Sequence, residues 1–340
     1  MIELQGDALE LTFPEVHPEA RLHIHFQRTL RIPDDGRDYP LPPGLGRFPL
    51  RHVDDFAHGI PSEWVEHGGV MLPMYQAEAL WLCFESDEVE GFDSSYPFAI
   101  KVAAGKVDAV SGEEWSNQLH RRPRQDYLVS PDQPWLDGYC VEEGIIRQFV
   151  AMPLGAGYSA EEQLTGAGVH GGLQIMVFPM KRRVFYERFA KVRHREGFGD
   201  LYLMERVCEA GPAMGLAPGG RMRQRIYADP YYLSDWDTGH GLRCYVHITN
   251  SMVWRAITGQ APPALPLTAA DYSKHGLPWF EHYSELPAVA GSDLLAKLKS
   301  VIQLGRSKRE QPLPENQSTT PQKVIILGDG TKHRVREWEG

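Results

Sequence analysis

The amino-acid sequence predicts a β-rich α+β protein: two packed sheets, a distorted β-sandwich, with short covering helices and a C-terminal β-hairpin. Three observations carry this. The 340 residues include 33 Gly and 26 Pro, which favours many short elements joined by turns over long helices. Leu22, Ile24 and Phe26 alternate with polar neighbours, the period of a half-buried strand. Two β-rich apolar runs, 145–152 and 173–178, are each stopped by a proline, Pro153 and Pro179.

In chain order, residues 1–130 read as a β-rich region. Its stretch 32–50 holds five prolines and three glycines, which argues against regular ladders and for a packed surface loop. Ser62 is placed to N-cap a short helix ending at Gly68, and 74–84 fits either a short helix or a buried strand. Residues 131–305 form a second β-rich region. Within it Ser159 and Glu162 make a capping box whose helix stops at Gly166. Phe185, Phe189 and Val192 fall at helical spacing on a projecting basic helix over 181–196, and a second helix starts near Asp200. Gly219 and Gly220 precede strands over 221–227 and 242–249, and Ser292 caps one helix that runs to Gly305. Residues 306–322 read as a flexible linker, and 323–340 as a hairpin turning at Asp329-Gly330.

Hydrophobic residues at 42% and charged residues at 24% exclude wholesale disorder, and a net charge of −10 argues against whole-surface attraction to nucleic acid or anionic lipid. The start of the chain lacks the organisation of a signal peptide and no run is apolar enough for a membrane-spanning helix, so a cytoplasmic protein is expected. Cys83, Cys140, Cys208 and Cys244 form no CxxC, which leaves buried free thiols as the expectation.

Gly166-x-Gly168-x-x-Gly171 follows a helix and precedes a strand, the reverse of a dinucleotide site, and reads as a turn. His23 and His25 share a strand face without a third ligand, so no metal site is assigned. Asp235 and Asp237 open a run that resembles a calcium loop, but His240 and Val246 stand where Gly and Glu are required. Asp132 and Asp137 flank Trp135, a pattern that a sugar site or a simple turn both explain. No cofactor is identified.

The charge pattern carries the functional expectation. Lys181, Arg182, Arg183, Arg188, Lys191, Arg193 and Arg195 oppose a single acid, Glu187, and Arg221, Arg223 and Arg225 would project from one strand face. A solvated face explains such a run; so does an anion-binding surface for an acidic protein, nucleic acid or lipid head groups. The expected function is therefore a non-enzymatic binding or assembly protein with an anionic partner. The alternative is a hydrolase or metal-assisted enzyme in which His23, His25, Asp132 or Asp137 converge. A third reading donates the C-terminal hairpin to a neighbouring subunit of a homo-oligomer.

The segments RTLRIPDDGRDYPLPPGLGRFPL, MYQAEALW, DYLVSPDQPWLDG, IIRQFVAMPLGAGYSAEEQLTG, GGLQIMVFP, GLAPGGRMRQRIYADPY and HGLPWFEHY cover much of the chain. On them the sequence resembles a widespread family of uncharacterised bacterial proteins. The resemblance implies no activity, cofactor or catalytic residue.

Overall fold

Short extended segments, several of them buried along most of their length, frame this protein, seen in a computed structural model that describes residues 1–92, 94–189, 213–284, 286–311, 313 and 316–328. The first third contributes β1 (Ile2–Gln5), β2 (Ala8–Thr12), β3 (Arg21–Thr29), β4 (Asp38–Tyr39), β5 (Gly44–Arg47), β6 (Arg51–His52), helix α1 (Ser62–His67), β7 (Val70–Met74), β8 (Ala79–Ser86), β9 (Phe98–Ala104) and β10 (Val107–Asp108). The middle adds β11 (Leu128–Ser130), β12 (Trp135–Leu136), β13 (Gly138–Glu142), β14 (Ile145–Pro153), α2 (Ala160–Thr165), β15 (Leu173–Pro179) and α3 (Arg182–Phe189). Then come β16 (Met214–Arg223), β17 (Leu242–Asn250), α4 (Ser251–Thr258), α5 (Ala269–Lys274), β18 (Trp279–Tyr283), α6 (Asp293–Ala296), α7 (Val301–Ser307) and β19 (Val324–Gly328).

Two large sheets result. The first runs β1-β2-β3-β8-β14-β16-β4, with β5 on β3, β12 on β8 and β13 on β14. The second runs β10-β9-β15-β17-β7-β6, with β11 on β9. Phe26, Leu82 and Phe149 of the first join Phe98, Ile175 and Val246 of the second in one continuous apolar cluster, whose removal from water supplies the main drive to fold. The predicted β-rich α+β sandwich is the observed architecture. Both sheets draw strands from either side of residue 130, so the two sequence regions interleave.

Several local expectations hold. The Ser159–Glu162 capping box is present and Gly166 closes α2 in the left-handed conformation at φ +81°. The segment 74–84 resolves as strand, in β8. Others are corrected. Despite its prolines, 32–50 supplies two short strands, β4 parallel to β16 and β5 antiparallel to β3. Ser62 is the first residue of α1, and Pro61 stands at the N-cap. The helix expected from Ser292 to Gly305 is two, because Ser300 opens a second capping box and starts α7. The 306–322 stretch is tied to the body: its first two residues complete α7, Asn316 Oδ1 accepts from Asp34 N, and Thr319 O accepts from the Tyr39 hydroxyl. Within the expected hairpin, Val324–Gly328 pairs parallel with β18 of its own chain; residues 329–340 lie outside the described residues, as do Val192 and the helix expected near Asp200.

Gly219 and Gly220 lie inside β16, where they permit close backbone approach: a Cβ on Gly220 would fall 2.6 Å from the carbonyl oxygens of Ile32 and Pro33. Gly138 is tighter still, since a Cβ there would meet Arg147 O at 2.0 Å across the β13–β14 ladder. Replacing Gly138 by Ala must push the two strands apart. Urea unfolding of Gly138→Ala is expected to show a loss of about 2–3 kcal/mol, the upper range of overpacking costs.

Candidate functional site

Aromatic and polar groups converge where the first sheet meets the β18–β19 pair. A cavity of about 290 Å³ opens there, lined by Gln27, Leu41, Pro42, Pro43, Gly44, Gly46, Trp81, Trp135, Asp137, Phe280 and Leu327. Register builds it. Gln27 on β3 pairs with Trp81 on β8, and Trp135 on β12 pairs with Cys83, two residues along the same face of β8. The two indoles meet edge to face, with centroids 6.3 Å apart and planes at 73°, the arrangement that the aromatic quadrupole favours. Gly44 makes room for Trp81, because a Cβ would come 3.3 Å from its Cζ2. The opposite wall is held by reciprocal backbone bonds between Leu41 and Phe280, 2.7 and 2.8 Å long, and His282 packs edge-on against Trp135 at 5.0 Å.

Two polar groups mark this apolar site. The indole N–H of Trp81 is buried without a hydrogen-bond partner among the described residues. Asp137 is 3% exposed. Its backbone N–H donates to Gln224 Oε1 at 3.0 Å, and Gln224 Nε2 donates back to its Oδ2 at 2.8 Å. Burial raises the Asp137 carboxyl from 3.8 to about 7, and the Gln224 donor opposes this only in part. The carboxyl is therefore a much weaker acid than an exposed aspartate.

Of the residues singled out in sequence, Trp135 and Asp137 line this cavity; the basic residues fall elsewhere, and most are engaged within the chain. Arg221 Nε donates to Asp38 Oδ1 and NH1 to Glu142 Oε1, both at 2.6 Å. That contact holds the Glu142 carboxyl below its usual range. Arg223 pairs with Glu281 and with the Asp38 carbonyl, and Arg225 reaches Ser284 O. Arg188 pairs with Asp235 at 2.8 Å, Arg183 with Glu187 at 2.6 Å, and Lys181 donates to Ser234 O at 2.8 Å. Arg182 lies over the Tyr186 ring at 5.7 Å, and Lys191 lies outside the described residues. The described part of the basic helix does not project: Phe185 is buried and stacks on Tyr96 at 4.6 Å.

His23 and His25 stay on their strand. The first pairs with Asp87 at 3.2 Å and the second with Glu85 at 2.9 Å, and neither lines the cavity that holds Asp137. Asp132 is not part of that lining either. Asp237 caps a turn by accepting from Gly239 N, which accounts for the calcium-loop resemblance.

One cluster escaped the sequence reading. Glu63 and His67 on α1 and His170 in the turn before β15 bring one oxygen and two ring nitrogens within 4.8 Å of one another. The Glu-x-x-x-His spacing on a helix was the available signal; the approach of His170 depends on a long-range turn. Among the described residues no helix is long and apolar enough to cross a membrane. No family model, curated protein or solved structure matches the chain.

The buried carboxyl yields a stability prediction. Asp137 titrates near 7 when folded against about 3.9 when unfolded, so the native state holds the extra proton between those values and stability falls as pH rises through them. Asp137→Asn keeps an acceptor for Gln224 and removes this loss. Its melting temperature is expected to match the parent near pH 4 and exceed it at pH 8, by the equivalent of about 1–4 kcal/mol.

Proposed function

We propose that this protein is a binding protein for a small uncharged ring compound, held in the Trp81–Trp135 cavity with an oxygen of the ligand facing Asp137. The observation that carries the reading is the pairing of an edge-to-face indole corner with a buried carboxyl whose acidity burial weakens. Small-molecule sites are concave, mostly apolar, and contain a few placed polar groups, and a volume of about 290 Å³ suits a single ring with short substituents. An indole face offers broad contact to the C–H face of a sugar ring or to an aromatic ring. Protonated Asp137 donates to a ligand oxygen; ionised Asp137 cannot, and its charge resists further desolvation.

The binding expected from charge patterning receives less support as an anion-specific surface. Arg221, Arg223, Arg188 and Arg183 already meet carboxylates of their own chain, so an anionic partner would have to displace them.

Indole fluorescence tests it. Titration with a methyl glycoside and with a simple phenol is expected to give a saturable change for at least one probe, with a dissociation constant of about 1 mM or tighter. The change should vanish in Trp81→Phe together with Trp135→Phe. Affinity is expected to be up to about tenfold higher at pH 6 than at pH 8, following the Asp137 proton, and to lose that dependence in Asp137→Asn. Absence of saturable change with either ring, or a change that survives the double substitution, would overturn the reading.

A further inference from the structure

We infer that Glu63, His67 and His170 form a binding site for a divalent transition-metal ion of the zinc type. The site shares no residue with the aromatic cavity and does not rest on the binding proposal made for it.

Each ligand is positioned by something other than a metal. Glu63 and His67 stand four apart on α1, so their side chains leave the same helix face one turn apart. The helix is anchored by Trp64, 6% exposed, whose ring stacks on His247 at 4.7 Å. The His67 imidazole lies flat on Tyr245, with centroids 4.5 Å apart and planes within 9°, which fixes the ring plane. His170 arrives from the other side. Its backbone N–H donates to the carboxylate of buried Glu161 at 3.1 Å, and the N–H of Gly171 donates to the same group at 3.0 Å. Gly171 and Gly172, at φ +59° and +55°, then turn the chain into β15.

The spacing is that of ligands around an ion rather than of a hydrogen-bonded pair. His170 Nδ1 is buried, finds no hydrogen-bond partner among the described residues, and stands 3.7 Å from Glu63 Oε1, beyond hydrogen-bond range. Zinc bonds of about 2.1 Å at a tetrahedral angle put neighbouring ligand atoms about 3.4 Å apart. The observed separations, none above 4.8 Å, need only a small inward movement of side chains. Two imidazoles and one carboxylate suit zinc or ferrous iron, not calcium or magnesium, which prefer oxygen alone. Three protein ligands leave a coordination position open. His67 also lines a cavity of about 250 Å³ with His52, Asp54, Arg243 and Tyr245, which gives solvent a route to the site.

Calorimetric titration of the full chain, prepared without a polyhistidine tag and stripped by chelator, with zinc chloride tests the site. One zinc per chain is expected, at micromolar affinity or tighter, with cobalt substitution giving a visible absorption band. His67→Ala and His170→Ala are each expected to weaken zinc binding by about tenfold or more, and His23→Ala paired with His25→Ala to leave it unchanged. Should His67→Ala not fold, His170→Asn, in the turn outside the strands, carries the same test. No stoichiometric zinc, undiminished affinity in the His170 variant, or loss of binding in the His23 and His25 variant would each overturn the assignment.

Discussion

A polar group enclosed between the two sheets has no water to turn to, and it must be paired or uncharged. This constraint orders much of the interior. Lys101, 1% exposed, reaches the Asp126 carboxylate and the Gln118 carbonyl, each at 2.6 Å. Arg28 meets Glu78 at 2.6 Å where both are buried. Gln148 on the central strand β14 accepts from Ile32 N and donates to Leu30 O, so that one amide side chain pins the start of the proline-rich segment to the sheet. Asp137 and Asp108 stand apart from this pattern. Among the described residues the Asp137 carboxylate has one amide donor and no cation, and the shortfall makes it a weak acid beside an apolar cavity; Asp108 Oδ2 is left without a donor there, and burial raises that carboxyl to about 7 as well.

The architecture was legible because its signals are local. The alternation around Ile24, the apolar runs that became β14 and β15, and the Ser159–Glu162 box each depend on a few neighbouring residues, and each formed as read. Misreadings arose where long-range pairing overrode a local rule. Proline-rich 32–50 yields strands because β3 and β16 offer edges to it, and Gly219-Gly220 continues a strand because backbone from Ile32 and Pro33 presses against it. The candidate site was legible only in part. Trp135 and Asp137 stood out in sequence, but Trp81, Gln27 and Phe280 come from three other strands, and nothing local states that they share a wall.

The arginines illustrate the same limit. Alternation along 221–225 placed the three side chains on one face; burial alternates as read, but β16 ends at Arg223, so Arg225 lies beyond the strand expected over 221–227. What could not be read was who waits there. Asp38 sits on β4, Glu142 at the end of β13 and Glu281 on β18, so Arg221 and Arg223 act as struts joining segments distant in sequence. In a chain of net charge −10, such internal neutralisation reduces self-repulsion where acids crowd.

The walls of the aromatic cavity are drawn from residues as far apart as Gln27 and Leu327. During synthesis, which proceeds from the N-terminus, the early strands can collapse long before the final wall exists. Under the proposed binding, a small molecule finds all the walls of its seat only after β19 has docked on β18. Such a ligand would act as a latch on the assembled walls and not as a template for the early strands.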